Sequence, residues 1–279
     1  MAQDHRLQQQ RFELKYLIPE EITRELRSFI RAYLELDDYG ANKPNLAYPV
    51  HSLYLDSPGL ETHYAGINGT KNRYKLRLRY YDDHEDSPVF FEIKRRVDNC
   101  ILKQRCGVKR EAVALLLSGE LPDSSHLISR EPRHLGSLQR FNLLMHHINA
   151  RPKLHNHYQR EAWVSPENNS IRVTFDRFIR CEPFFRPEAV VPMTKPIQVF
   201  PESVVLELKY TNRFPGWFRE MVERFDLMQF SSAKYCEGVE RIGVHRFCSE
   251  DACLQRWRAT EKPAFWTEAA AGFLGLKHA

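Results

Sequence analysis

Apolar and polar residues alternate one for one along much of this chain, the period of a β-strand. Arg11-Phe-Glu-Leu-Lys-Tyr-Leu-Ile18 puts Arg11, Glu13 and Lys15 on one face and Phe12, Leu14 and Tyr16 on the other. Residues 73–81 put Arg73, Lys75, Arg77 and Arg79 opposite Tyr74, Leu76, Leu78 and Tyr80. Further strands are predicted over 50–55, 89–96, 101–108, 153–164, 171–176 and 204–210. Those between 73 and 108 follow one another through short turns, so they predict an antiparallel meander.

Elsewhere the period lengthens to that of a helix. Pro19 opens one, with Glu20 and Glu21 at its positive end. Ile22, Leu26, Phe29, Ile30 and Tyr33 form its apolar stripe. Helices are also predicted over 60–67, 111–117, 136–148 and 215–225, with a last core helix after Tyr235. Residues 37–46 and the Pro-rich stretch 183–201 read as loops. No linker divides the chain, so residues 1–245 read as one domain. Residues 246–279 read as a tail, helical and docked on that domain by Trp257, Phe265 and Trp266.

Charge adds little in bulk and much in placement. The 41 Lys and Arg against 36 Asp and Glu give a net +5 over 279 residues, which by itself signals no polyanion partner. The cations, however, share strand faces, where like charges repel unless solvent or an anion lies against them. Phe12-Glu-Leu-Lys15, Phe91-Glu-Ile-Lys94 and Leu206-Glu-Leu-Lys209 repeat one motif, each setting a carboxylate and an ammonium on one face. If such strands close into a barrel, those faces turn inward and make a wet, cationic lumen. A lumen of that kind suits a phosphate chain, with a carboxylate or two for a divalent metal.

Other chemistries are poorly represented. The six cysteines form no Cys-x-x-Cys pair and read as reduced and structural. The twelve histidines include no His-x-x-x-His spacing, which makes a histidine metal site improbable. There is no Walker loop, kinase signature or base-reading motif, so specific nucleic-acid binding is not expected. No apolar run approaches the ~20 residues of a membrane span, and Met1–Gln10 has no signal-peptide core. The expected location is cytoplasmic, with a peripheral place at the inner face of the membrane left open.

Eight motifs, in order, resemble the VTC (vacuolar transporter chaperone) polyphosphate polymerase domain of the triphosphate tunnel metalloenzymes. They are Arg11-Phe-Glu-Leu-Lys-Tyr, Tyr54-Leu-Asp-Ser, Lys75-Leu-Arg-Leu-Arg-Tyr, Phe91-Glu-Ile-Lys, Lys103-Gln-Arg, Tyr158-Gln-Arg-Glu-Ala, Leu206-Glu-Leu-Lys and Ser231-Ser-Ala-Lys-Tyr. The resemblance covers about residues 11–245 and suggests a stand-alone bacterial form. It implies an α+β fold, a closed antiparallel tunnel of about eight strands with helices packed outside. It implies transfer of the ATP γ-phosphate to a growing polyphosphate chain, with Mn2+ or Mg2+.

By the same resemblance Arg77, Arg79, Lys94 and Arg160 would clamp the γ-phosphate. Lys15, Lys103, Arg105, Arg172, Lys209 and Lys234 would bind the rest of the chain. Glu207 would hold the metal, with Glu92 and Glu13 as further candidates. ATP and polyphosphate are the implied ligands; a membrane-protein partner and the oligomeric state are left open. The related hydrolases and cyclases carry Glu-x-Glu-x-Lys on the first strand, where this chain has Arg11, which favours the polymerase branch. Ser231 and Ala233 stand where the polymerases tend to carry an extra Lys and Ser. The alternatives are a metal-dependent tunnel triphosphatase and a non-catalytic polyanion-binding module.

Overall fold

The alternating stretches form ten strands in a computed structural model that describes residues 11–98, 100–167, 170–230 and 233–248. The strands are β1 (Arg11–Pro19), β2 (Glu35–Leu36), β3 (Tyr48–Asp56), β4 (Asn72–Tyr80), β5 (Val89–Val97), β6 (Cys100–Val108), β7 (Arg151–Val164), β8 (Ile171–Pro183), β9 (Ile197–Gln198) and β10 (Ser203–Thr211). The helices are α1 (Thr23–Ile30), α2 (Asp38–Ala41), α3 (Glu61–Ile67), α4 (Ala112–Ser118), α5 (Pro132–His147), α6 (Gly216–Arg224) and α7 (Lys234–Ile242). The tail expected to dock, and Ser231, lie outside the described residues apart from 246–248.

Eight strands pair antiparallel in the order β1-β10-β8-β7-β3-β4-β5-β6, with β2 beside β7 and β9 beside β8. The sheet curls until the Cα atoms of β1 and β6 come within 8 Å, but no backbone ladder joins them. The result is the expected α+β tunnel, with a seam bridged by side chains.

The period of two sorts the residues. The outer face carries the apolar members. Leu76, Leu78, Phe91 and Ile93 pack under α4 and α5 against Leu116, Phe141 and Met145. Tyr16, Phe175, Leu206 and Leu208 pack against Leu26, Ile30, Phe218 and Met221 of α1 and α6. Each such fully buried side chain contributes roughly 1.5–3 kcal/mol. The charged members are left on the inner face.

Four elements depart from expectation: α2 (Asp38–Ala41) and β9 (Ile197–Gln198) lie in stretches that read as loops, and two others differ in their bounds. β8 continues to Pro183, well past residue 176, through an irregularity where Phe178 has φ +52°. That irregularity breaks the strict alternation by which a strand is recognised. Pro132, at the first position of α5, starts that helix four residues before 136. Four cysteines, Cys100, Cys106, Cys181 and Cys236, are free thiols, whereas Cys248 is disulfide-bonded rather than reduced.

A third apolar cluster lies on the inner face and includes α7. Tyr235 stacks on Tyr54 at 4.9 Å between ring centroids, and its hydroxyl donates to Asp56 Oδ2 at 2.7 Å. A Cβ on Gly238 would meet Leu154 Cδ2 at 2.9 Å and Cys181 Sγ at 3.0 Å, so glycine permits this close approach. α7 therefore occupies the interior against β3, β7 and β8.

On the outer face of β3 and β7, His51 Nδ1 and His155 Nε2 lie 3.0 Å apart, and the Tyr80 hydroxyl is 3.2 Å from His155 Nε2. Burial pulls the His51 imidazole down to about 3 and His155 to about 4, helped by His157 beside them. Both stay neutral in the fold while the unfolded chain protonates them below about pH 6.5. Stability should therefore fall as pH drops from 6.5 toward 4, on the order of 3 kcal/mol by pH 5. Denaturant midpoints at pH 7 and pH 5 test this. His51→Phe with His155→Leu should flatten the dependence, and an unchanged slope would refute it.

Candidate active site

The three Glu-x-Lys motifs lie on the inner faces of β1, β5 and β10. Antiparallel register turns two of them into complementary partners. Glu13 stands opposite Lys209, and Lys15 opposite Glu207. The third is placed differently: Lys94 has Lys75 on one side and Lys103 on the other. Like charges across strands repel. Lys94 reaches instead to the first strand, where its Nζ lies 3.1 and 3.0 Å from the Glu13 oxygens. That ion pair brings β5 and β1 together where no ladder does.

Glu207 is the centre of a denser knot. Lys209 Nζ lies 2.6 Å from its Oε2, Lys234 Nζ 2.9 Å from its Oε1, and Arg160 Nη2 3.2 Å from its Oε2. Lys15 Nζ is 4.0 Å away and 3.3 Å from Glu13. Beside it Asp176 is fully buried and accepts both Arg160 Nε and Nη2 at 2.7 Å. Lys234 Nζ completes the knot 2.7 Å from Asp176 Oδ2. Burial pushes the Glu207 carboxyl up, but Lys209, Lys234 and Arg160 more than offset it and hold it well below the usual range. Burial among these cations brings the Lys209 ammonium down to about 7, against the pull of Glu207.

A second knot surrounds Glu92. Its Oε2 accepts Arg77 Nε at 2.8 Å, Lys103 Nζ lies 2.9 Å from Oε1, and Arg105 Nε is 3.8 Å away. Arg77 Nη1 also donates to the Tyr54 hydroxyl at 3.3 Å. Burial raises that phenol, but Arg77 and Arg79 outweigh it and bring Tyr54 down to about 8. Burial draws Lys103 down to about 8 despite Glu92.

Arg79 is the exception. It is 7% exposed and donates Nη2 to the Tyr158 hydroxyl at 2.8 Å. Among the described residues no carboxylate comes within 4.0 Å of it, and its Nε has no hydrogen-bond partner. Arg79 shares the field of Glu92 with Arg77 and has no carboxylate in ion-pair contact, so its Nε is left open to an anion in the lumen.

A family model for the VTC domain matches residues 10–242. This chain belongs to the VTC domain family. Two solved structures align distantly with this VTC domain. A Bacillus halodurans protein described as a candidate adenylate cyclase has 12% identity and a TM-score of 0.49, over 84% of this chain and 97% of its own. A Pyrococcus horikoshii protein has 13% identity and a TM-score of 0.40, over 84% of this chain and 99% of its own. No curated protein matches the chain at significance.

In the VTC domain the residues expected from the sequence converge, with two nuances. Arg172 sits apart, its Nη2 2.8 Å from Asp37 Oδ2. Lys75, on the same strand face as Arg77 and Arg79, lies against α7 with Nζ 3.0 Å from Cys236 Sγ and 5.2 Å from the Tyr235 ring centre. Sequence reasoning left out Asp176, Tyr54 and Tyr158 as site residues. Asp176 shares its strand face with Arg172 and Thr174, and that alternation was the available signal. The side chain of Arg11 lies outside the described residues.

Mg2+ and Mn2+ take hard oxygen donors, often one or two carboxylates with phosphate oxygens. Among the described residues no group of three His, Cys, Asp or Glu side chains could hold a metal unaided. Glu207 offers a single carboxylate whose two oxygens are already taken by Lys209, Lys234 and Arg160, so a metal arriving on phosphates would have to displace one of them. Glu13 and Glu92 are each held by two or more cations. No helix among the described residues is long and apolar enough to cross a membrane.

Proposed function

We propose that this VTC domain is an ATP-dependent polyphosphate polymerase. The observation that carries the reading is Arg79, a buried cation with no carboxylate in ion-pair contact among the described residues, set among Arg77, Lys103 and Arg160. A triphosphate supplies that contact. Arg77, Arg79, Arg160 and Lys94 hold and orient the γ-phosphate, and Lys15, Lys209 and Lys234 neutralise neighbouring phosphates. Lys103 and Arg105 extend the cationic track, and Arg172 would meet the chain only where it leaves its pair with Asp37.

A terminal oxygen of the polyphosphate chain attacks the γ-phosphorus in line. One P–O bond forms, the bridge to the β-phosphate breaks, and ADP leaves with the chain one phosphate longer. No protein nucleophile is required, because positioning and charge stabilisation carry phosphoryl transfer. A Mn2+ or Mg2+ ion on Glu207, when bound, supplies further neutralisation of phosphate oxygens.

Incubation with ATP and Mn2+ or Mg2+ tests the reading. Polyphosphate ladders on a gel are the expected result; release of inorganic phosphate alone would instead make the protein a triphosphatase. Unchanged ATP with salt-sensitive polyphosphate binding would leave only a polyanion-binding module. Glu207→Gln keeps the side-chain shape and removes the charge. It should lower metal-dependent turnover about 10²-fold, and full activity would remove the metal assignment.

A further inference from the structure

A cavity of about 670 Å³ runs along the free edge of β6, beside the first turns of α5. Its walls include Lys103, Arg105, Arg133, His134 and Ser137, and its lining contains no carboxylate. Its cations carry little compensation on the outside. Arg133 pairs only with Glu131, and both side chains are largely exposed, so that pair is weak. His134 Nδ1 is buried and has no hydrogen-bond partner among the described residues.

Two of the wall residues also belong to the lumen. Lys103 and Arg105 approach Glu92 Oε1, while Glu92 Oε2 holds Arg77. The Arg105 guanidinium lies 3.4 Å from the centre of the Phe90 ring, which steadies it at the sheet edge. Lys103 and Arg105 therefore stand both beside Glu92 and Arg77 in the lumen and, with Arg133 and His134, in the lining of the groove. On the opposite side α7 occupies the interior, with Gly238 against Leu154 and Cys181. A long linear anion held in the lumen therefore has further cations at the β6 edge, while on the other side α7 fills the interior.

We propose that this groove is a second polyanion site, which holds the part of a long inorganic polyphosphate that extends beyond the lumen. The proposal rests on the reading that the lumen binds phosphates. It assigns Arg133 and His134, which no motif marked, to product binding outside the lumen.

The test compares inorganic tripolyphosphate with long-chain polyphosphate as calorimetric probes, at low and moderate salt. The variant is Arg133→Glu with Ser137→Glu, both outside the lumen, with a thermal melt to verify folding. Tripolyphosphate affinity should be unchanged. Long-chain affinity should fall about tenfold, with a shallower salt dependence, because counterion release scales with the cations engaged. Long-chain affinity equal to wild type overturns the groove while leaving the lumen reading intact. Equal loss of both probes likewise overturns it as a separate site. Wild-type protein that binds neither probe overturns both readings.

Discussion

Replacing Arg79 with methionine is expected to cost the VTC domain activity but not stability. Turnover of ATP should fall by about 10²-fold, on the order of 3 kcal/mol of transition-state stabilisation. The fold should change by no more than about 1 kcal/mol, because the desolvation of Arg79 and its repulsion by Arg77 and Arg160 are set against the attraction of Glu92 and Tyr158. Most buried cations here are balanced: Arg77 by Glu92, Arg160 by Asp176, and Lys234 by Asp176 and Glu207. Arg79 makes hydrogen-bond contact only with the Tyr158 hydroxyl and, at a long 3.5 Å, with Ser52 Oγ; Arg77 and Arg160 repel it, while Glu92 attracts it from beyond ion-pair distance. A bound phosphate would add the ion-pair contact that no carboxylate among the described residues makes with Arg79. A urea midpoint and a single-turnover ATP assay on one preparation separate the two effects. A destabilised variant with wild-type turnover would make Arg79 a structural residue and remove the main support for the proposed function.

Asp176→Ala should do the opposite, with the largest stability loss of any site residue. Asp176 is fully buried and accepts both arms of Arg160 and the Lys234 ammonium. Its removal leaves those two cations, along with Lys209, to share Glu207. Breaking one member of such a buried network costs about 3–5 kcal/mol, roughly 10 °C in Tm for a domain of this size. Asp176→Asn, which keeps the shape, should lose most of the same amount because the charge is what balances the site. Added tripolyphosphate should stabilise Asp176→Ala more than wild type, since the variant has excess cations. A loss below about 1 kcal/mol in both variants would mean that solvent already screens the network.

Much of this was legible in the residue pattern. The alternation in Arg11–Ile18, 73–81 and 204–210 assigns each side chain to a face without knowledge of the fold. The three Glu-x-Lys motifs therefore pointed to a shared charged surface. β8 was truncated at residue 176 because Phe178 takes φ +52° and breaks the period. Asp176 was on the right face, but a carboxylate beside an arginine is usually only a solvated pair. Its importance comes from Arg160 and Lys234, which arrive from β7 and α7.

The period of two is a local property, set by the geometry of the extended backbone, so the sequence alone determined the faces, the meander and the pool of candidate ligands. Pairing is a long-range property. Register decided that Lys15 meets Glu207 while Lys94 faces two lysines and turns to Glu13. Packing decided that α7 lies inside the sheet, where Lys234 reaches Asp176 and Glu207. The curl of the sheet decided that Arg79 is buried with no carboxylate in ion-pair contact among the described residues. Those contacts depend on distances between strands far apart in the chain, and no spacing within a motif encodes them.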